Sequence, residues 1–239
     1  MYDEMEQRSF YGDDFYGDAP PIINANESHM ACLLLLDTSG SMYGEPINEL
    51  NAGINRFKEE VLRDEATRNI LDVAIVEFNS TFNVVQEFVP IEQMKTVNLT
   101  VGGSTKMTPA IEKAIELVTE RTKFYRRTGA EPYKPWIVMI TDGAPDYDDD
   151  VSIIAEVIHN KEKEGKLKFF SLGVDRYDPR TLHLLSGQKV MKLKEHDFSS
   201  FFNWVTKSMA VVSQSSPGEK ISLPNLPENV DKDVSDWGD

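Results

Sequence analysis

Asp37, Ser39 and Ser41 stand at alternate positions just after four leucines, in the stretch LLLLDTSGSM (residues 33–42). In extended backbone, residues two apart face the same side. Three small oxygen-bearing side chains therefore converge on one point, and Gly40 eases the turn between them. A second apolar run, Trp136–Thr141 (WIVMIT), also stops at an aspartate, Asp142. Carboxylate and hydroxyl oxygens are hard ligands, and a set with only one or two carboxylates suits Mg²⁺, which keeps several of its waters. Taken singly, a serine or aspartate at a strand end is more often a turn cap.

The elements that must position these groups follow from hydrophobic periodicity. Residues 32–36 form an unbroken apolar run of strand length, as expected for a central parallel strand covered on both faces. Ile47, Leu50, Ile54, Phe57 and Val61 repeat at steps of three and four, which predicts an amphipathic helix over 46–62 with Pro46 in its first turn. Residues 72–78 (DVAIVEF) and 82–89 read as two strands joined by a hairpin. Thr108 and Pro109 read as the cap and first residue of a helix that buries Ala110, Ile111, Ala114, Ile115 and Val118. Further strands are expected at Trp136–Thr141, 169–174 and Val190–Leu193. Helices carry Val151, Ile154, Ala155 and Ile158, then follow the caps Asp178 and Asp197; the last buries Phe198, Phe201, Phe202, Val205 and Met209. The alternation predicts an α/β fold: a doubly wound, mostly parallel central sheet with one antiparallel edge strand and helices on both faces. In such sheets ligands bind outside the carboxyl ends of the strands, where strand order reverses. Asp37 and Asp142 fall at that crest.

Residues 1–29, with YGDDFYGDAPP, are acidic, aromatic and without periodicity, and read as a disordered or loosely docked arm. Residues 213–239 read as an acidic, proline-containing tail, with Leu223, Leu226 and Trp237 available to dock. No internal repeat is visible. Forty Asp and Glu against 25 Lys and Arg leave a formal charge of −15, which disfavours nucleic acid and anionic lipid as partners. The lone Cys32 excludes an intramolecular disulfide, and with no secretory leader or membrane span in the pattern a cytoplasmic protein is expected.

The string D-T-S-G-S resembles the D-x-S-x-S signature of the von Willebrand factor A domain family and its metal-ion-dependent adhesion site. The family completes that site with a threonine from a Gly-rich loop and a later aspartate; GGSTKMTPAI offers Thr105 and VMITDGAP offers Asp142. The resemblance covers residues 30–212. It implies a Rossmann-like fold and a Mg²⁺, with Mn²⁺ or Ca²⁺ able to substitute, held by Asp37, Ser39, Ser41, Thr105 and Asp142. It further implies an open coordination position for an Asp or Glu of a partner protein, rimmed by Gly40, Gly103, Ser104 and Gly143, in a non-enzymatic interaction module. Within the family, DTSGSMYGEPI, TDGAP and FFNWVTKSMAVVSQS look most like TerY-type proteins of bacterial tellurite-resistance clusters. That implies partners in a stress or phage-defence system, including phosphorylation-linked proteins.

Rival chemistries match less of the chain. A phosphatase or phosphotransferase of the haloacid dehalogenase type also places an aspartate after its first strand, but needs a second acid two residues on, where this chain has Ser39. No P-loop string occurs. His29, His159, His183 and His196 are scattered without metal-ligand spacing, and Cys32 has no evident base. The acids Asp146, Asp148, Asp149 and Asp150 in DYDDD read either as decoration of a helix's first turn or as a second cation site or recognition patch.

Overall fold

The computed structural model describes residues 27–232. The expected amino-terminal arm up to residue 26, and Trp237 in the tail, lie outside them. Seven strands form one sheet in the order β3-β2-β1-β4-β5-β6-β7. β1 (Met30–Asp37) lies inside the sheet, parallel to both β2 (Leu71–Phe78) and β4 (Trp136–Thr141). All eight of its residues are buried. Cys32, Leu34 and Leu36 join the core beneath one helical layer, and Ala31, Leu33 and Leu35 the core beneath the other. The unbroken leucine run thus follows from burial on both faces.

One layer holds α1 (Glu45–Val61), the short α2 (Glu65–Ile70) and α6 (Phe198–Ser213). The other holds α3 (Met107–Arg127), α4 (Ser152–Lys163) and α5 (Pro179–Ser186). β5 (Lys168–Gly173) and β6 (Val190–Leu193) extend the parallel sheet. The antiparallel edge strand expected after the hairpin is β3 (Phe82–Pro90). At the opposite edge a short β7 (Val230–Lys232) pairs antiparallel with β6. The segment between α6 and β7 runs back over the domain: Leu223 and Leu226 pack against the core, and Pro224 accepts a hydrogen bond from Trp204 Nε1 at 2.9 Å. No helix among the described residues is long and apolar enough to cross a membrane.

Two starts differ from expectation. Thr108 does not cap α3; the helix begins at Met107 after Lys106, whose side chain makes no cap bond. The cap comes instead from Asp149, whose carboxylate accepts the amides of Met107 and Thr108. α2 has no apolar stripe long enough to announce it and is held by Asp64, which accepts the amides of Ala66 and Thr67.

Gly53 marks the tightest approach of α1 to α6. A Cβ there would lie 2.8 Å from Phe198 Cβ and 3.3 Å from the Phe198 carbonyl carbon. Gly53→Ala should therefore destabilise the protein by about 1–2 kcal/mol, because crowding against a neighbouring backbone outweighs the helix-propensity gain. Urea unfolding measures this; a stabilised variant would show that the helices part easily.

Candidate metal centre

Strand order reverses between the parallel neighbours β1 and β4, and both strands deliver their terminal residues to that crevice. Asp37, the last residue of β1, is fully buried. Its Oδ1 accepts the Ser39 amide at 2.8 Å and its Oδ2 accepts the Thr141 hydroxyl. That turn aims the following hydroxyls inward: Ser39 Oγ lies 3.0 Å from Ser41 Oγ, and Ser41 Oγ donates to Asp142 Oδ1 at 2.7 Å.

The third piece of the site is the glycine-rich loop before α3, held against the first turn by backbone bonds. The Gly40 amide donates to the Gly103 carbonyl at 3.1 Å, and the Gly102 amide to the Thr38 carbonyl at 2.9 Å. Gly103 has φ +78°, and a Cβ there would sit 2.4 Å from Ser80 Oγ, so the loop needs glycine at this position. Ser80 Oγ also accepts the Ser104 amide at 2.9 Å. A Cβ built on Gly143 would lie 3.7 Å from Thr105 Oγ1 and 4.0 Å from Asp37 Oδ2. Thr105, Asp37 and the Asp142 turn therefore meet around one small space.

All five residues named from the sequence are neighbours here. Asp37, Ser39, Thr105 and Asp142 are buried and Ser41 stands at the exposed mouth, with Gly40, Gly103 and Ser104 exposed around it and Gly143 half-buried. Three residues that the sequence reading left out complete the frame: Thr141 beneath Asp37, Ser80 under the glycine loop, and Asp146. The Asp146 carboxylate accepts the Thr105 amide at 3.0 Å and the Ser104 hydroxyl at 2.7 Å. These two bonds hold its pKa below the ordinary carboxylate value. The acid run DYDDD is thus a set of ties. Asp146 holds the Thr105 loop, Asp148 pairs with Lys106, Asp149 caps α3, and only Asp150 serves its own helix, accepting the Ser152 amide at 2.9 Å.

The electrostatics suit a cation. Burial pushes Asp37 up to about 6, against hydrogen bonds from Thr141 and Ser39 that lower it, and nearby Asp142 adds repulsion. Burial also raises Asp142, opposed by its bond from Ser41. Two desolvated carboxylates share the space with three hydroxyls. Hydroxyls and carboxylates of this kind fit a hard divalent ion. Among the described residues, no group of three or more His, Cys, Asp or Glu is placed to hold a metal by itself.

Because the folded pKa of Asp37 lies above the ordinary carboxylate value, the native state binds the extra proton between about pH 4 and pH 6. Without added metal, its contribution to stability therefore falls as pH rises through that window. Unfolding free energy measured across it should show this slope in the wild type and lose it in Asp37→Asn. An identical slope in both would mean that Asp37 titrates normally.

Comparison with known proteins gives three kinds of result. The model of the von Willebrand factor type A domain family matches residues 33–204. No curated protein sequence matches the chain. Solved structures share the fold at low identity. The ArnB paralog VWA2 of Sulfolobus acidocaldarius is 16% identical, with a TM-score of 0.51 over 76% of this chain and 45% of its own. A von Willebrand factor type A protein of Catenulispora acidiphila is 16% identical, with a TM-score of 0.59 over 77% of this chain and 43% of its own. The vWF domain of a type V pili tip protein of Porphyromonas gingivalis is 10% identical, with a TM-score of 0.56 over 82% of this chain and 98% of its own. The chain thus spans less than half the length of the first two.

Proposed function

Since the chain belongs to the von Willebrand factor type A domain family, we propose that it is a Mg²⁺-dependent protein-interaction module that captures an Asp or Glu of a partner at the crest of its sheet. The observation that carries this reading is the meeting of Asp37, Ser39, Ser41, Thr105 and Asp142 around one space. These five side chains would hold the ion, some directly and some through water. When bound, the cation supplies a Lewis-acidic position to a carboxylate from another protein. Two carboxylates and neutral hydroxyls leave it electropositive enough to accept a third.

The chain's own residues shape the approach. Gly40, Gly103, Ser104 and Gly143 leave the mouth low and open, and Tyr43 and Tyr147 stand highly exposed on the turns that follow Ser41 and Asp142. Tyrosines of this kind supply much of the contact energy in protein interfaces. Tyr147→Ala should weaken partner binding at saturating Mg²⁺ by about tenfold or more and leave metal affinity unchanged, as paired calorimetric titrations would measure.

The finer reading is a TerY-like component of a bacterial tellurite-resistance, stress or phage-defence system, cytoplasmic and non-enzymatic, whose partners include phosphorylation-linked proteins. It rests on DTSGSMYGEPI, TDGAP and FFNWVTKSMAVVSQS. Against the haloacid dehalogenase alternative, the position two residues after Asp37 holds Ser39, whose hydroxyl is engaged with Ser41, so the acid that protonates a leaving group is missing.

The test is a Mn²⁺ titration of metal-stripped protein, following the free ion by electron paramagnetic resonance with Mg²⁺ as competitor. One Mg²⁺-displaceable site supports the module. Absence of such a site, or hydrolysis of phosphate esters that Asp37→Ala abolishes, overturns it.

A further inference from the structure

The chain carries 40 acidic against 25 basic residues, yet a group of its cations meets at the end of the sheet opposite the metal centre. There two adjoining cavities of about 390 and 430 Å³ share Tyr133 and Lys134 as a common wall. Lys168 and Lys220 line the first; Arg126, Lys161 and Lys166 line the second. The acids in the linings are Glu219 and Glu164, and Glu164 is paired with Lys166 at 2.7 Å. Among the described residues, no carboxylate stands within ion-pair distance of Arg126, Lys134, Lys161, Lys168 or Lys220.

Helix dipoles account for part of this. Arg126 and Lys161 fall in the last turns of α3 and α4, where a cation meets the negative end of the helix. They do not account for Lys134, in the loop entering β4, or Lys168, the first residue of β5. The Lys168 ammonium lies 5.7 Å from the centre of the Trp136 ring. Burial, then repulsion from Lys134 and Lys189, outweighs attraction from Glu162 and pulls it below the ordinary lysine value. Cations that outnumber the acids along a groove favour a ligand with several negative charges spread along it.

We infer that this groove docks an acidic segment of a partner protein, a short run of Asp and Glu laid along Lys134, Lys161 and Lys168. A duplex nucleic acid or an anionic bilayer would bring the remaining surface of a chain at −15 into opposition. A short peptide senses little beyond a Debye length of about 8 Å and so meets only the local cations. The site is independent of the metal centre.

Fluorescence anisotropy of a labelled Asp/Glu peptide with the full chain in EDTA tests it. Saturable binding is expected, weakened by added salt and by about tenfold or more in Lys134→Glu/Lys161→Glu, while Asp142→Ala binds as wild type. Circular dichroism checks that the double variant is folded. A second variant, Lys134→Gln/Lys168→Gln, should weaken binding to a smaller degree. No binding, equal binding by the charge-reversed variant, or loss of binding in Asp142→Ala would overturn the assignment. So would lysine-dependent binding of duplex DNA or phosphatidylserine vesicles in place of the peptide. Carbodiimide cross-links from Lys134 or Lys161 to acids among residues 1–26 of the same chain would give the groove to the chain itself, and would equally overturn it.

Discussion

Asp72→Ala should destabilise the protein by about 3–5 kcal/mol, the largest single loss expected in the sheet. Asp72 on β2 and Arg121 on α3 are nearly fully buried. One carboxylate oxygen, Oδ2, accepts Arg121 Nε at 3.1 Å, Arg121 Nη2 at 2.7 Å and the Tyr125 hydroxyl. Burial opposes the Arg121 charge, but the Asp72 carboxylate and the Tyr125 contact outweigh it. Removing Asp72 leaves a guanidinium in the core without its carboxylate, beside the Phe124 and Tyr125 rings, 4.8 and 5.2 Å from their centres. The cost is that uncompensated charge, because a buried pair as a whole adds little over an apolar filling. Asp72→Leu/Arg121→Met should therefore recover most of the loss, and a double-mutant cycle in urea measures the difference. A double variant as unstable as the single one would mean that packing around the pair, not charge, holds α3 to the sheet.

This pair shows where the sequence was readable and where it was not. The apolar stripe of α3 was followed as far as Val118, yet the same face continues through Arg121 to Tyr125, and all are buried. A charged residue on a helix is ordinarily exposed; only the partner on β2, distant in sequence, makes its burial affordable. The parallel strands were legible because two-sided burial leaves an unbroken apolar run, and the caps Asp178 and Asp197 were legible because each bonds an amide two or three residues ahead. β7 was not, since three residues with one buried side chain carry no period. The true cap of α3 was not either, because Asp149 lies far along the chain and its spacing suggested the start of α4 instead.

In the candidate site the contrast is similar. Asp37, Ser39 and Ser41 were legible because local spacing sets their direction, and Asp142 because it ends an apolar strand. Thr105 entered through family resemblance, since no periodicity links it to the first turn. The ties that fix the site geometry, from Thr141, Ser80 and Asp146, are a few hydrogen bonds between segments far apart in the chain. Their only trace in the chain is residue type: a threonine just before the aspartate, a serine in a hairpin turn, and one acid within a run of four.

Asp142→Ala should lower Mn²⁺ or Mg²⁺ affinity by at least about 100-fold, because the loss of an outer-shell partner alone costs up to that factor and Asp142 is proposed as a ligand. The metal-free fold should hardly change. The Asp142 side chain accepts a hydrogen bond from Ser41, and it adds repulsion to the buried Asp37. Removing it frees one hydroxyl at the exposed mouth, where water can replace the lost acceptor, and relieves repulsion with Asp37 and Asp175. Asp37→Ala differs: it deprives the Ser39 amide and the buried Thr141 hydroxyl of their acceptor, so it should reduce stability as well as metal binding, by about 1–3 kcal/mol. Mn²⁺ titration by electron paramagnetic resonance, paired with urea unfolding in EDTA, separates the two. If Asp142→Ala unfolds even with excess Mg²⁺, its carboxylate supports the crest itself. If it binds Mn²⁺ as tightly as wild type, the ion sits elsewhere and the five-residue assignment fails.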